Sequence, residues 1–169
     1  MKKRLFLCLS LLFPLAQAET VYQSNDAFIS ASLGTLPKAQ VLWLNDTQKA
    51  DIESILAHRF NKLRLRYWRD DGQTVWIMDE IGKESPITVG IHVSDGKIIK
   101  TQVLVYRESR GDEVRHDFFT DQFKSATLTP SLELDRSIDG ITGATLSVKA
   151  LTKLSRIALY LDAAVQTQP

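Results

Sequence analysis

Pro86-Ile87-Thr88-Val89-Gly90-Ile91-His92-Val93-Ser94-Asp95-Gly96-Lys97-Ile98-Ile99-Lys100-Thr101-Gln102-Val103-Leu104-Val105-Tyr106 is the stretch whose reading decides the fold. Ile87, Val89, Ile91 and Val93 alternate with Thr88, Gly90, His92 and Ser94. A period of two sends the two sets to opposite faces of a strand. Asp95-Gly96 is a two-residue hairpin turn. On the returning strand, residues 97–106, Ile99, Val103 and Val105 are expected to continue the apolar face. Two strands joined so tightly must pair antiparallel.

The same pattern extends upstream. Leu63, Leu65 and Tyr67 alternate with Arg64, Arg66 and Trp68, Asp71-Gly72 is a second turn signal, and residues 74–79 read as the strand that returns. Before them, Thr47 opens a helix to Phe60 with Ile52, Ile55 and Leu56 on one face and Asp46 or Thr47 as cap. Residues 21–40 are mixed, with a short helix around 25–32 that Gly34 and Pro37 break.

Downstream, Asp112 is placed to cap a short helix through Phe123, and Leu132 with Leu134 suggests one more strand. The last helix is the clearest element. Leu151, Leu154, Ala158, Leu161 and Val165 recur three and four apart, opposite Lys149, Lys153, Arg156 and Tyr160. The expected fold is α+β: an antiparallel sheet of hairpins with helices packed on one side, in a single domain.

The amino terminus reads as a signal peptide over residues 1–18. Lys2, Lys3 and Arg4 precede an apolar run over 5–15 and an Ala16-Gln17-Ala18 cleavage site. The other reading of that run is an uncleaved anchor, for which it is short. Cys8 lacks the small residues before it that lipoprotein attachment requires. The expected mature chain starts at Glu19, in a bacterial periplasm or held at the inner membrane by partners, with no transmembrane span of its own. Its roughly 150 residues suit one domain with a real core.

Removing Lys2, Lys3 and Arg4 takes the formal net charge from +1 to −2, which gives no hint of a nucleic-acid partner. The only cysteine leaves as well. That excludes a disulfide, a thioether-bound haem, an iron–sulfur cluster and a thiol nucleophile in the mature chain.

The chemistry is concentrated in Asp139-Gly140-Ile141-Thr142-Gly143-Ala144-Thr145, which runs straight into the last helix. Small residues and hydroxyls at a helix start offer a phosphate room, donors and a positive dipole end. Gly143 can take positive φ and admit a bulky group near the backbone. An ordinary helix cap accounts for the same residue types.

The stretch resembles the Asp-x-x-(Ser/Thr)-Gly-Ala-(Ser/Thr) signature of the FMN-binding domain family, which includes FMN-carrying subunits of sodium-pumping NADH:quinone oxidoreductases and Rnf-type complexes. Asp95-Gly96-Lys97-Ile98 resembles that family's Asp-Gly-Lys-Ile segment. Glu108-Ser109-Arg110-Gly111, followed by a helix ending in Gln122-Phe123, resembles its Glu-Thr-x-Gly segment. Ser109 and Arg110 depart from the Thr and Pro common there.

The resemblance implies an FMN-binding core over residues 85–165 and leaves 19–84 unassigned. It implies FMN held covalently, its phosphate esterified to Thr145 by a separate magnesium-dependent flavin transferase that cleaves FAD. Asp139 would belong to what that enzyme recognises. Thr142, Gly143, Ala144, Glu108, Arg110 and Gly111 would surround the cofactor, with the isoalloxazine between the 108–111 loop and the last helix.

On this basis Arg110, with Arg115 second, is the candidate for the pyrimidine edge, where a cation favours the reduced form. Gly90 marks either close approach of the ring or a bulge. Trp68 and Trp76 read as sheet packing, with stacking on the flavin as the other use. His58, His92 and His116 read as structural. Arg107, Arg110 and Arg115 with Asp112 and Glu113 read as a mixed solvated face.

No acid/base pair or substrate pocket stands out, so an electron carrier between membrane or cytochrome partners is expected rather than a complete enzyme. Two other readings use the same residues. One is a flavin-free periplasmic adaptor, which places no demand on a hydroxyl at 145. The other takes Gly140-Ile141-Thr142-Gly143 as the GxxG of a nucleic-acid-binding module, against which stands the lack of basic residues in the loop.

Overall fold

Alternation and turn chemistry generate the hairpins of the computed structural model, which describes residues 19–167. β3 (Arg64–Asp70) and β4 (Gln73–Ile81) meet at Asp71-Gly72. β5 (Pro86–Ser94) and β6 (Lys97–Tyr106) meet at Asp95-Gly96. All four turn residues take positive φ, which Asp and Gly tolerate. Two short strands, β1 (Thr20–Val21) and β2 (Gln40–Trp43), close a six-stranded antiparallel sheet in the order β1-β6-β5-β4-β3-β2. The architecture is the expected α+β, in one domain.

One face of the sheet carries Leu65, Tyr67, Trp76, Met78, Val89, Ile91 and Val93. On it lie α2 (Asp46–Leu56) and α4 (Thr145–Gln166). Leu151, Leu154, Ala158, Leu161 and Val165 form the buried stripe of α4. A single apolar side chain of that kind contributes about 1.5–3 kcal/mol when buried. A short α3 (Asp117–Thr120), flanked by 3-10 turns, brings Phe119 and Phe123 into the same core.

The helices are not confined to that side. α1 (Asn25–Leu33) lies across the opposite face, where Phe28 and Ile29 join Val75, Leu104 and Val105 in a second core. Gly90 permits it: a Cβ there would stand 2.5 Å from a ring carbon of Phe28. The close approach is therefore made by α1 and not by a cofactor.

Other expectations shift for local reasons. Asn45, not Asp46 or Thr47, caps α2 through a capping box with Gln48 (2.8 and 3.0 Å). α2 stops at Leu56 because Ala57 turns left-handed, φ 60°. Ile98 takes the core place expected of Ile99, which is 43% exposed. The pairing jumps from Val93↔Ile98 to His92↔Lys100, so Ile99 is an extra residue that bulges out.

Leu132 and Leu134 form no strand. Leu132 sits at φ 61°, and only the isolated bridge Leu128↔Leu134 remains. Trp68 and Trp76 are packing residues, Trp76 fully buried and stacked on Tyr67 at 5.0 Å, Trp68 beside the α1 core. No described helix is long and apolar enough to cross a membrane; the expected signal peptide, residues 1–18, lies outside the described residues.

Candidate functional site

Three segments converge where β6 ends: the loop after Tyr106, the turn between β4 and β5, and the start of α4. Tyr106 ties two of them. Its hydroxyl donates to the Arg110 carbonyl oxygen (2.7 Å) and shares a hydrogen bond with the Ser147 hydroxyl (2.9 Å). Burial raises the Tyr106 pKa against the Ser147 bond, and Glu108, Asp112 and Glu113 add to the rise. The phenol therefore stays a neutral donor. Gly111 fits beneath this knot at φ +89°, where a Cβ would meet Tyr106 Oη at 3.0 Å and Ala144 Cβ at 3.2 Å.

Glu108 ties the third segment. Its Oε1 accepts from the amides of Lys83, Glu84 and Ser85 at 2.5, 2.7 and 2.9 Å. Burial alone would raise its pKa, but the three amides and the Lys83 charge bring it below the usual carboxylate range. Glu108 thus acts as the ionised brace of the β4–β5 turn.

The three segments enclose a cleft of about 350 Å³ lined by Lys83, Glu108, Arg110, Gly143, Ala144 and Thr145 among others. Thr145, exposed, is the first residue of α4. It also borders a larger groove of about 460 Å³ on the helix's other flank, beside Ile138, Val148 and Lys149. The N-cap of α4 is Ala144, buried, and no side chain caps the helix. Ala is among the poorest N-caps, costing ~1 kcal/mol against Ser or Asn. Gly143 takes φ +87° with open space on its Cβ side.

The expected residues divide accordingly. Glu108, Arg110, Gly143, Ala144 and Thr145 line one cleft, and Gly111 packs directly beneath Ala144. Asp139 and Thr142 lie on the exposed loop outside that lining. The Asp139 amide donates to Gln122 Oε1 at 2.7 Å, which ties the loop to the turn before it.

Arg115 is engaged elsewhere, over the Tyr22 ring at 4.7 Å and paired with Asp112 at 3.3 Å. Arg107 is not simply solvated, since it donates to the Pro86 carbonyl and to Thr88 and pairs with Glu19. His58 and His92 bond Glu80 and Gln73, and His116 stacks on Phe118. Tyr106, Ser147 and Ser85 hold the site, and no motif marked them.

Residues 82–160 match the family model of the FMN-binding domain. The chain thus carries an FMN-binding domain over this segment, which supports binding of the flavin. No curated protein and no solved structure matches it.

Proposed function

We propose that this chain is an exported flavoprotein carrying FMN esterified to Thr145 and passing electrons between redox partners. One observation carries the reading. Inside the family-matched segment, an exposed threonine hydroxyl stands on an uncapped helix start that opens into a cleft. The residues suit the group: unsatisfied first-turn amides of α4 for phosphate oxygens, open space at Gly143, and Lys83 and Arg110 in the lining.

FMN supplies reversible electron transfer, which none of the twenty side chains provides in this form. The protein's own residues hold and orient. The helix dipole favours the phosphodiester charge by about 0.3–1 kcal/mol. So small a contribution would not retain a free cofactor, and the ester makes retention independent of affinity. Tyr106, Ser147 and Glu108 fix the walls. A separate flavin transferase is the proposed source of the bond, and the leader at residues 1–18 supports a periplasmic location.

The test is co-expression of the whole chain with a flavin transferase, then denaturation. Wild type should run as a fluorescent band and Thr145→Val as a dark one, with unchanged melting. A dark wild-type band, or a fluorescent valine variant, defeats the proposal.

A further inference from the structure

The registers Trp43↔Arg64, Ile81↔Pro86 and Thr20↔Tyr106 put one end of every strand pair together. That end holds the Thr145 cleft, opposite the Asp71-Gly72 and Asp95-Gly96 turns. It also carries side chains that no element covers. Trp43 is 64%, Leu63 61% and Ile81 60% exposed. Among them runs a cationic segment, His58, Arg59, Lys62, Arg64 and Arg66, with no acid from 58 to 66. Arg64 lies 5.3 Å over the Trp43 ring. A groove of about 310 Å³ opens here, lined by Leu56, Phe60, Ile81 and Pro86 with Arg59 and Lys62.

Four of the acids at this end are already committed. Glu80 is buried against His58 (3.1 Å) and Lys153 (3.3 Å), and Asp79 accepts from Thr88 at 2.6 Å. Glu84 pairs with Lys83 at 3.4 Å, and Glu108 holds its three amides. A chain of formal charge −2 from Glu19 onward therefore presents, around residues 58–66, a positive and apolar-tipped patch.

An exposed tryptophan and aliphatic tips set between arginine and lysine heads match the headgroup layer of a bilayer, where rings and stems sink and cations stay with lipid phosphates. Separate tips around a shallow groove give a protein partner little contiguous apolar core to bury. We propose that this end of the molecule docks on an anionic lipid surface, so that the Thr145 cleft opens beside the membrane. The flavin reading gives this docking its purpose, reach to an electron partner held in the bilayer, and lipid binding itself needs no flavin.

The test uses the exported protein, purified as the cell processes it and sedimented with vesicles of phosphatidylcholine alone or mixed with phosphatidylglycerol. Partition onto the mixed vesicles at low salt, its loss at high salt, and none onto neutral ones are expected. Lys62→Ala with Arg64→Ala should lower it roughly 30-fold, about fivefold per cation. Trp43→Ala should also weaken it, while Lys97→Ala with Lys100→Ala at the far end should not. Thr145→Val should bind as wild type does, which separates failure of docking from failure of the flavin reading. Wild type left in solution with mixed vesicles at low salt overturns the proposal, as does a double variant that sediments like wild type. Retention by an acidic protein with no affinity for either vesicle makes this a protein-docking face and overturns it too.

Discussion

Arg110 and Arg115 stand five residues apart and have become different objects. Arg115 is spent on Tyr22 and Asp112, whereas Arg110 is exposed in the cleft lining and held there by its own carbonyl, which Tyr106 grips. Of the two, only Arg110 lines the cleft, so on the proposed reading only it can meet negative charge on a flavin ring there. At a solvated position such an interaction is worth ~1 kcal/mol. Arg110→Ala should therefore lower the potential of the loaded protein by about 20 mV for a two-electron couple. Spectroelectrochemical titration reads this directly, and an unchanged potential removes Arg110 from the role. Glu108, equally suggestive in the sequence, is consumed by three amides and shapes the wall by holding the Lys83–Ser85 turn.

At the scale of elements, what could be read in advance was what neighbouring residues decide. The hairpins followed from alternation and two Asp-Gly turns, α4 from its three-and-four spacing, and the candidate site loop from seven consecutive residues. What escaped depends on distant parts. β2 is four residues long at a sheet edge, too short for a period to show. The Ile99 bulge is a choice between two adjacent isoleucines that only packing makes. Tyr106 and Ser147 are separated by 41 positions and meet only in the fold. Gly90 is the sharpest case, since its missing side chain serves α1, whose place on the second face nothing local announced. Phe28 is 1% exposed and has no room to retreat. Gly90→Val should thus destabilise the protein by about 1–3 kcal/mol through overpacking. Adding Phe28→Leu should recover part of that loss in chemical denaturation. A Gly90→Val protein as stable as wild type would mean that α1 is not seated against the sheet as described.

Across the whole molecule, the position of Thr145 depends on α4 being held at both ends. Its start is tied through Ser147 to Tyr106, and its far end through a buried relay in which Trp76 Nε1 donates to Thr74 (2.9 Å) and Thr74 to Asp162 (2.7 Å). Arg69 adds a bond to the Val165 carbonyl at 3.2 Å. Strands from residues 64–81, all before the family-matched segment, therefore anchor the helix that starts in the cleft. Asp162 is the costly member. Burial raises its pKa, although Thr74, Gln166 and Arg69 pull the other way. A folded pKa above the unfolded one means that the contribution of Asp162 is full below the unfolded value near ~3.9 and declines as pH rises through the folded value. As pH rises above the unfolded value, this buried carboxyl becomes a burden. Asp162→Asn keeps an oxygen to accept from Thr74 and Gln166 and sheds the charge. The variant should melt a few degrees above wild type at pH ~7, and the difference should close as pH falls below ~4. Thermal melts across that range decide it: a variant less stable than wild type at neutral pH would show that the carboxyl, with its two donors and the nearby Arg69 charge, is what holds the far end of α4.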